Sequence, residues 1–158
     1  MLMIRPALPQ EKDILAEIGL TAWLKGIRPL VSAEVAARIA ASNPFLPFLQ
    51  QLGPRVLMAE IDGEPAGLGA CERENDTISD VWVAPPFEGC GAGSALIRAL
   101  EAQIAGRGYA EAHIQVAALN ERALRLYLHL GYREVWRGAL YDPILETSLE
   151  KIGLSKSL

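Results

Sequence analysis

Hydrophobic positions change their spacing twice along the chain. Leu2 to Arg5 reads as a short strand stopped by Pro6 and Pro9, because proline has no N–H for a ladder. From Gln10 to Trp23 the apolar residues Ile14, Leu15, Ile18 and Leu20 recur at helical intervals. Gly26 and Pro29 interrupt this run. Ser32 then offers an N-cap for a second helix carrying Val35, Ala36 and Ile39, with Glu34 in its first turn. The segment Asn43-Pro44-Phe45-Leu46-Pro47-Phe48 reads as an aromatic loop, either a lid over the core or a pocket wall. The middle of the chain turns strand-like. Val56–Ile61 and Ala66–Glu72 are joined through Asp62-Gly63, a dipeptide suited to a tight hairpin. Thr77–Val83 is a further strand ending at Ala84-Pro85-Pro86. Leu96, Leu100 and Ile104 mark one face of a helix closed by Gly106 and Gly108. Ala112–Val116 is the next strand and Asn120–Leu130 the next helix, stopped by Gly131. Tyr132–Leu140 and Ile144–Ile152 read as two final strands.

This order of elements argues for an α/β sheet with helices on both faces, not a bundle or sandwich. Its 158 residues suit one domain, 1–158, with a core from about residue 3 to 152 and a short C-terminal tail. A composition 51% apolar and 22% charged is that of a globular domain and excludes a disordered tail protein. No apolar run approaches the roughly 20 residues of a membrane span, and the N-terminus shows no secretory pattern. Cys71 and Cys90 have no metal-type spacing, and two free thiols fit a reducing cytoplasm. A net charge of −4 without any Lys/Arg run argues against a nucleic-acid partner. His113 and His129 stand apart with no ligand partners, so no metal site is expected.

The candidate chemistry lies in Glu88-Gly89-Cys90-Gly91-Ala92-Gly93-Ser94, between a strand and a helix. The first turn of a helix leaves N–H groups unpaired and partly positive, and glycines let an anion approach them. A dinucleotide turn would show G-x-G-x-x-G early in the chain, whereas this one is G-x-G-x-G and late. A triphosphate loop needs Gly-Lys-Ser/Thr, and no lysine lies near. A flexible connection is the remaining alternative.

The run Val81-Trp82-Val83-Ala84-Pro85-Pro86-Phe87-Glu88-Gly89-Cys90-Gly91-Ala92-Gly93-Ser94 resembles the acyl-CoA signature of the GNAT superfamily of N-acetyltransferases. Downstream, Asn120-Glu121-Arg122-Ala123-Leu124-Arg125-Leu126-Tyr127-Leu128-His129-Leu130-Gly131-Tyr132 is similar to that family's N-x-x-A-x-x-x-Y-x-x-x-G-F/Y segment. The resemblance implies a mixed central sheet of about seven strands flanked by about four helices, with a splay between the fourth and fifth strands. It implies acetyl-CoA as cofactor, held by Val81, Trp82, Val83, Glu88, Gly89, Cys90, Gly91, Ala92, Gly93, Ser94, Asn120, Ala123 and Tyr127. Glu88 departs from the pattern, since the family's usual residue there is Arg or Gln. A carboxylate beside a diphosphate is repulsive, so weaker affinity or a compensating base is expected, with Arg122 and Arg125 as candidates.

Acyl transfer to an amine needs a neutral amine, donors for the developing oxyanion and a proton for the leaving thiolate. By resemblance the backbone of Val81–Val83 supplies the donors and Tyr127 the proton; packing beside Leu124 and Leu130 is the competing role for Tyr127. Asp80 and Glu72 are the candidate bases, with plain solvated carboxylates as the alternative. Trp23, Phe45, Phe48 and Tyr141 are candidates for the acceptor pocket. The expected function is an acetyl-CoA-dependent N-acetyltransferase acting by direct attack of a primary amine, on a small molecule or a protein. A non-catalytic acyl-CoA-binding sensor of the same fold is the alternative. No membrane partner is expected, and a homodimer through a final edge strand is an option.

Overall fold

A computed structural model describes the whole chain, residues 1–158. After β1 (Leu2–Pro6) come α1 (Lys12–Gly26) and α2 (Ala33–Ser42). Ser32 caps α2 as the sequence predicts, its Oγ accepting the Val35 N–H at 3.2 Å. The aromatic segment expected as a loop is instead helix α3 (Phe45–Leu52). Pro44 sits at its N-cap and Pro47 in its first turn, where backbone N–H groups have no intrahelical partner, so neither proline breaks it. There are accordingly five α-helices, one of them this short segment, in the expected α/β arrangement.

Strands β2 (Leu57–Ile61) and β3 (Glu64–Ala70) form the expected hairpin. Asp62 and Gly63 take φ of 50° and 85°, the paired positive values that a two-residue turn demands. Next come β4 (Thr77–Ile78), β5 (Asp80–Val83), α4 (Ala92–Gly106), β6 (Glu111–Ala117), α5 (Glu121–His129), β7 (Arg133–Asp142) and β8 (Thr147–Ser157).

The strands make two four-stranded sheets, ordered β1-β2-β3-β5 and β4-β6-β8-β7. Since β4 and β5 are consecutive pieces of one strand, the total is the expected seven. Ser79 separates the two pieces. Its N–H donates to Ala70 O at 2.9 Å, although the register partner of Ala70 is Asp80. Two residues facing one is the pattern of a β-bulge, which bends and twists the strand carrying it. Below the bulge, Thr77 and Ile78 pair in parallel with His113 and Ile114; above it, β5 pairs only with β3. The predicted splay therefore opens between the fourth strand and β6.

Alternate strand residues feed two cores on opposite faces of the sheets. Met58, Leu68 and Ala70 pack with Leu15, Trp23, Ile39, Phe45 and Phe48 from the first three helices. Leu57, Ala59, Ile114 and Ile152 pack with Leu96, Leu100 and Ile104 of α4 and Tyr127 of α5. Leu145 crosses from the β7–β8 connection into the first core, and Arg38 Nη2 donates to Ile144 O at 3.1 Å.

The last strand differs from expectation in two ways. It extends to Ser157 and not Ile152, with Gly153, Leu154 and Ser155 buried. It also lies between β6 and β7, so β7 and not the final strand is the edge. No helix is long and apolar enough to cross a membrane. Cys71 is buried and Cys90 exposed, and both are free thiols.

Candidate active site

A cleft of about 610 Å³ occupies the gap where β5 leaves β6. Val81, Trp82 and Val83 form one wall, the Phe87–Ser94 turn its end, and Asn120, Ala123, Leu126 and Tyr127 the opposite wall. Ala22, Lys25 and Gly26 from the end of α1 close one side.

Backbone direction follows from the ladder. Ala84 N–H donates to Ala66 O at 2.8 Å, and Leu68 is the register partner of Trp82. Alternate residues of an antiparallel strand aim their N–H and C=O at opposite edges. Val81 and Val83 thus present theirs to the gap, where no neighbouring strand takes them.

The glycine turn behaves as its composition predicts. Gly89 and Gly91 adopt φ of 79° and 87°, values costly for any residue with a Cβ. Gly91 is the N-cap of α4 and carries no side-chain cap. The N–H groups of Gly91, Ala92, Gly93 and Ser94 have no partner in the protein. Four successive unpaired amides at the positive end of a 15-residue helix make an anion cradle in the cleft. A diphosphate with an attached extended arm fits this donor set and the gap that continues from it. Cys90 lies in the same turn, exposed, and does not line the cleft.

Glu88 is not left as an isolated anion. Lys25 Nζ donates to its Oε2 at 2.8 Å and Arg122 Nη1 at 2.6 Å. Lys25 first, and Arg122 with it, hold the Glu88 carboxyl below the usual carboxylate range. One of the two bases expected by proximity, Arg122, is thus at the rim; Arg125 does not line the cleft. Lys25 had no signal in the sequence, because a lone lysine in a helix gives no hint of a partner 63 residues away.

Asp80 lies at the vertex of the splay. Trp82 Nε1 donates to its Oδ1 at 3.0 Å, and Ser79 Oγ stands 2.8 Å from its Oδ2. Burial pushes the Asp80 carboxyl up, opposed by these two donors. Part of its surface nonetheless stays accessible. Glu72 is also raised, by burial and then by the Asp80 charge; neither carboxylate lines the cleft itself, and Asp80 directly precedes its wall residues Val81–Val83. Tyr127 approaches from the other face. Burial, with the Asp80 charge second, pushes its phenol up to about 12. Its ring packs in the second core with Leu124 and Leu130, while its hydroxyl makes no hydrogen bond within the protein and the residue also lines the cleft. Asn120 Oδ1 caps α5 by accepting the Ala123 N–H at 3.4 Å, which sets Asn120, Ala123 and Tyr127 along one helix side.

The residues expected around the acceptor do not line the cleft. Trp23, Phe45 and Phe48 are buried in the first core and do not line the cleft; burying large apolar side chains between helices and sheet outweighs exposing them. Phe45 does touch the site indirectly, edge-on to Trp82 at 5.7 Å between ring centroids. Tyr141 is 63% exposed on the edge strand, away from the cleft. His113 Nε2 lies 3.8 Å from Asp76 Oδ2, and no group of metal-ligating side chains forms.

An uncharacterized N-acetyltransferase of Methanocaldococcus jannaschii is 31% identical over 86 residues, which are 49% of this chain and 38% of that protein. The chain therefore spans well under half of that relative's length. Among solved structures, an N-acetyltransferase from Rhodopseudomonas palustris superposes with a TM-score of 0.80 at 23% identity, covering 99% of this chain and 95% of that one. The PaiA N-acetyltransferase of Thermoplasma acidophilum, solved in complex with coenzyme A, gives 0.73 at 15% identity, covering 100% and 99%. Both share the fold. The family model of the acetyltransferase (GNAT) family matches residues 23–132, the stretch that contains the splay, the glycine turn and the Asn120–Tyr127 helix. The chain belongs to the acetyltransferase (GNAT) family.

Proposed function

We propose that the protein is an acetyl-CoA-dependent N-acetyltransferase in which a primary amine attacks the thioester directly. The observation that carries this reading is the run of four unpaired amides, Gly91 to Ser94, opening onto a strand edge with no neighbour. Bound acetyl-CoA supplies an activated acetyl group; everything else falls to side chains and backbone of this chain. The α4 amides bind the diphosphate. Val81 and Val83 offer N–H groups to an extended arm and to the carbonyl oxygen as it gains charge. Asp80, oriented by Trp82 and Ser79, accepts the amine proton at a carboxylate oxygen, directly or through a water. Glu72, whose backbone N–H donates to Ser79 Oγ at 2.8 Å, has no such pair of side-chain donors to orient its carboxylate. Tyr127 stays protonated over the working pH range, and its unbonded hydroxyl has a proton to give to the thiolate sulfur.

The test is release of free thiol from acetyl-CoA across a panel of small amines and peptide N-termini. Amine-dependent release supports transfer. Tight coenzyme binding without release on any amine supports the sensor reading of the same fold instead.

A further inference from the structure

Lys25 and Arg122 come from helices at opposite sides of the cleft, the last turn of α1 and the first turn of α5. They meet on a single oxygen, Glu88 Oε2, at 2.8 Å and 2.6 Å. Neither makes any other hydrogen bond, and the second Glu88 oxygen accepts none. Two cations so close repel each other, and Glu88 is what makes their proximity tolerable. All three residues line the cleft beside the unpaired α4 amides. An ordinary surface ion pair joins one cation to one anion and contributes little; this one gathers two cations at the rim of an anion cradle.

We propose that Glu88 is a placeholder anion. It preassembles Lys25 and Arg122 as a pair of cations that pass to the coenzyme diphosphate when it enters, and its own charge limits how tightly the coenzyme is held. The inference rests on the acyl-CoA reading of the cleft. Long flexible side chains let both nitrogens move from the carboxylate to a phosphate on the adjacent amides. With the ligand bound, Glu88 remains as a like charge beside it. This assigns a binding role to Lys25, and to Glu88 a role opposite in sign to that of a ligand-holding residue.

The experiment is calorimetric titration of the full chain with coenzyme A and, separately, with pantetheine, which has no diphosphate. Thermal melts establish that the variants are folded. Lys25→Met and Arg122→Met are each expected to weaken coenzyme A binding by about three- to tenfold, more steeply at low salt. Glu88→Gln is expected to tighten it by roughly threefold. Pantetheine binding stays unchanged in all three. Glu88→Gln that leaves affinity unaltered or weakens it overturns the proposal, as do Lys25→Met and Arg122→Met proteins that bind like the wild type. A wild-type chain that takes up neither coenzyme A nor pantetheine instead overturns the reading of the cleft itself.

Discussion

Trp82 Nε1 donates to Asp80 Oδ1 at 3.0 Å, between alternate residues on one face of the same short strand. The bond favours the charged carboxylate, while burial opposes it and wins, leaving the Asp80 carboxyl raised. A base works only when charged, so turnover should fall as pH drops through this raised value. Trp82→Phe removes a donor to the carboxylate and should move the acid limb of kcat/KM to higher pH. Asp80→Asn should abolish the limb and lower turnover by about 100-fold. Acid limbs that coincide with the wild type in both variants would assign the limb to another group.

Tyr127→Phe separates proton donation from packing. The ring is buried but the hydroxyl has no protein partner, so its loss leaves no orphaned group behind. The melting temperature and coenzyme affinity should hold, while kcat falls by about 100-fold or more. With the phenol pushed up to about 12, its proton is kept through the neutral and mildly alkaline range. No basic limb from Tyr127 should therefore appear below about pH 11.

Gly91 and Gly93 look equivalent in the sequence and are not equivalent in the fold. Gly91 has φ of 87°, whereas Gly93 is inside the first turn of α4 with ordinary contacts of 3.5 Å and 3.6 Å awaiting a Cβ. Gly91→Ala should cost about 1–2 kcal/mol by forcing a left-handed conformation. Gly93→Ala should be neutral or stabilising by up to about 1 kcal/mol through helix propensity. Urea denaturation of both variants checks the difference in sign.

A polar cluster ties α4 to the second sheet. Tyr132 donates its hydroxyl to Glu101 Oε2 at 2.7 Å, and Lys156 Nζ lies 3.1 Å and 3.2 Å from the two Glu101 oxygens. Glu101 is only 8% exposed. Lys156→Met strands a nearly buried carboxylate and should cost about 2 kcal/mol, less than a fully buried pair because Lys156 is partly open to solvent. Tyr132→Phe removes one neutral donor and should cost about 1 kcal/mol. The same denaturation measurement ranks the two.

The glycine turn and the Asn120–Tyr127 helix are legible in sequence because their causes are local: positive φ at Gly89 and Gly91, a side-chain cap at Asn120, and a seven-residue spacing that returns to one helix face. Helix α3 is hidden because Pro44 and Pro47 look like breakers until their places at its N-terminus are known. The fates of Trp23, Phe45 and Phe48 are set by which elements stack together, and an aromatic residue reads the same in a core as in a pocket wall. Lys25 is invisible for the same reason, since nothing near it announces Glu88. The position of β8 between β6 and β7 is likewise a choice of partner that strand periodicity does not encode.

The bulge at Ser79 hands one strand from the second sheet to the first, and only Thr77 and Ile78 knit that strand to β6. Beyond that point the molecule is a seam left unsewn: the outward rungs at Val81 and Val83 await a match that the polypeptide never provides. A slender guest with amides of its own fits as a surrogate strand. Under the proposed function, then, the coenzyme arm is both cargo and missing stitch, and loading the enzyme finishes its own architecture.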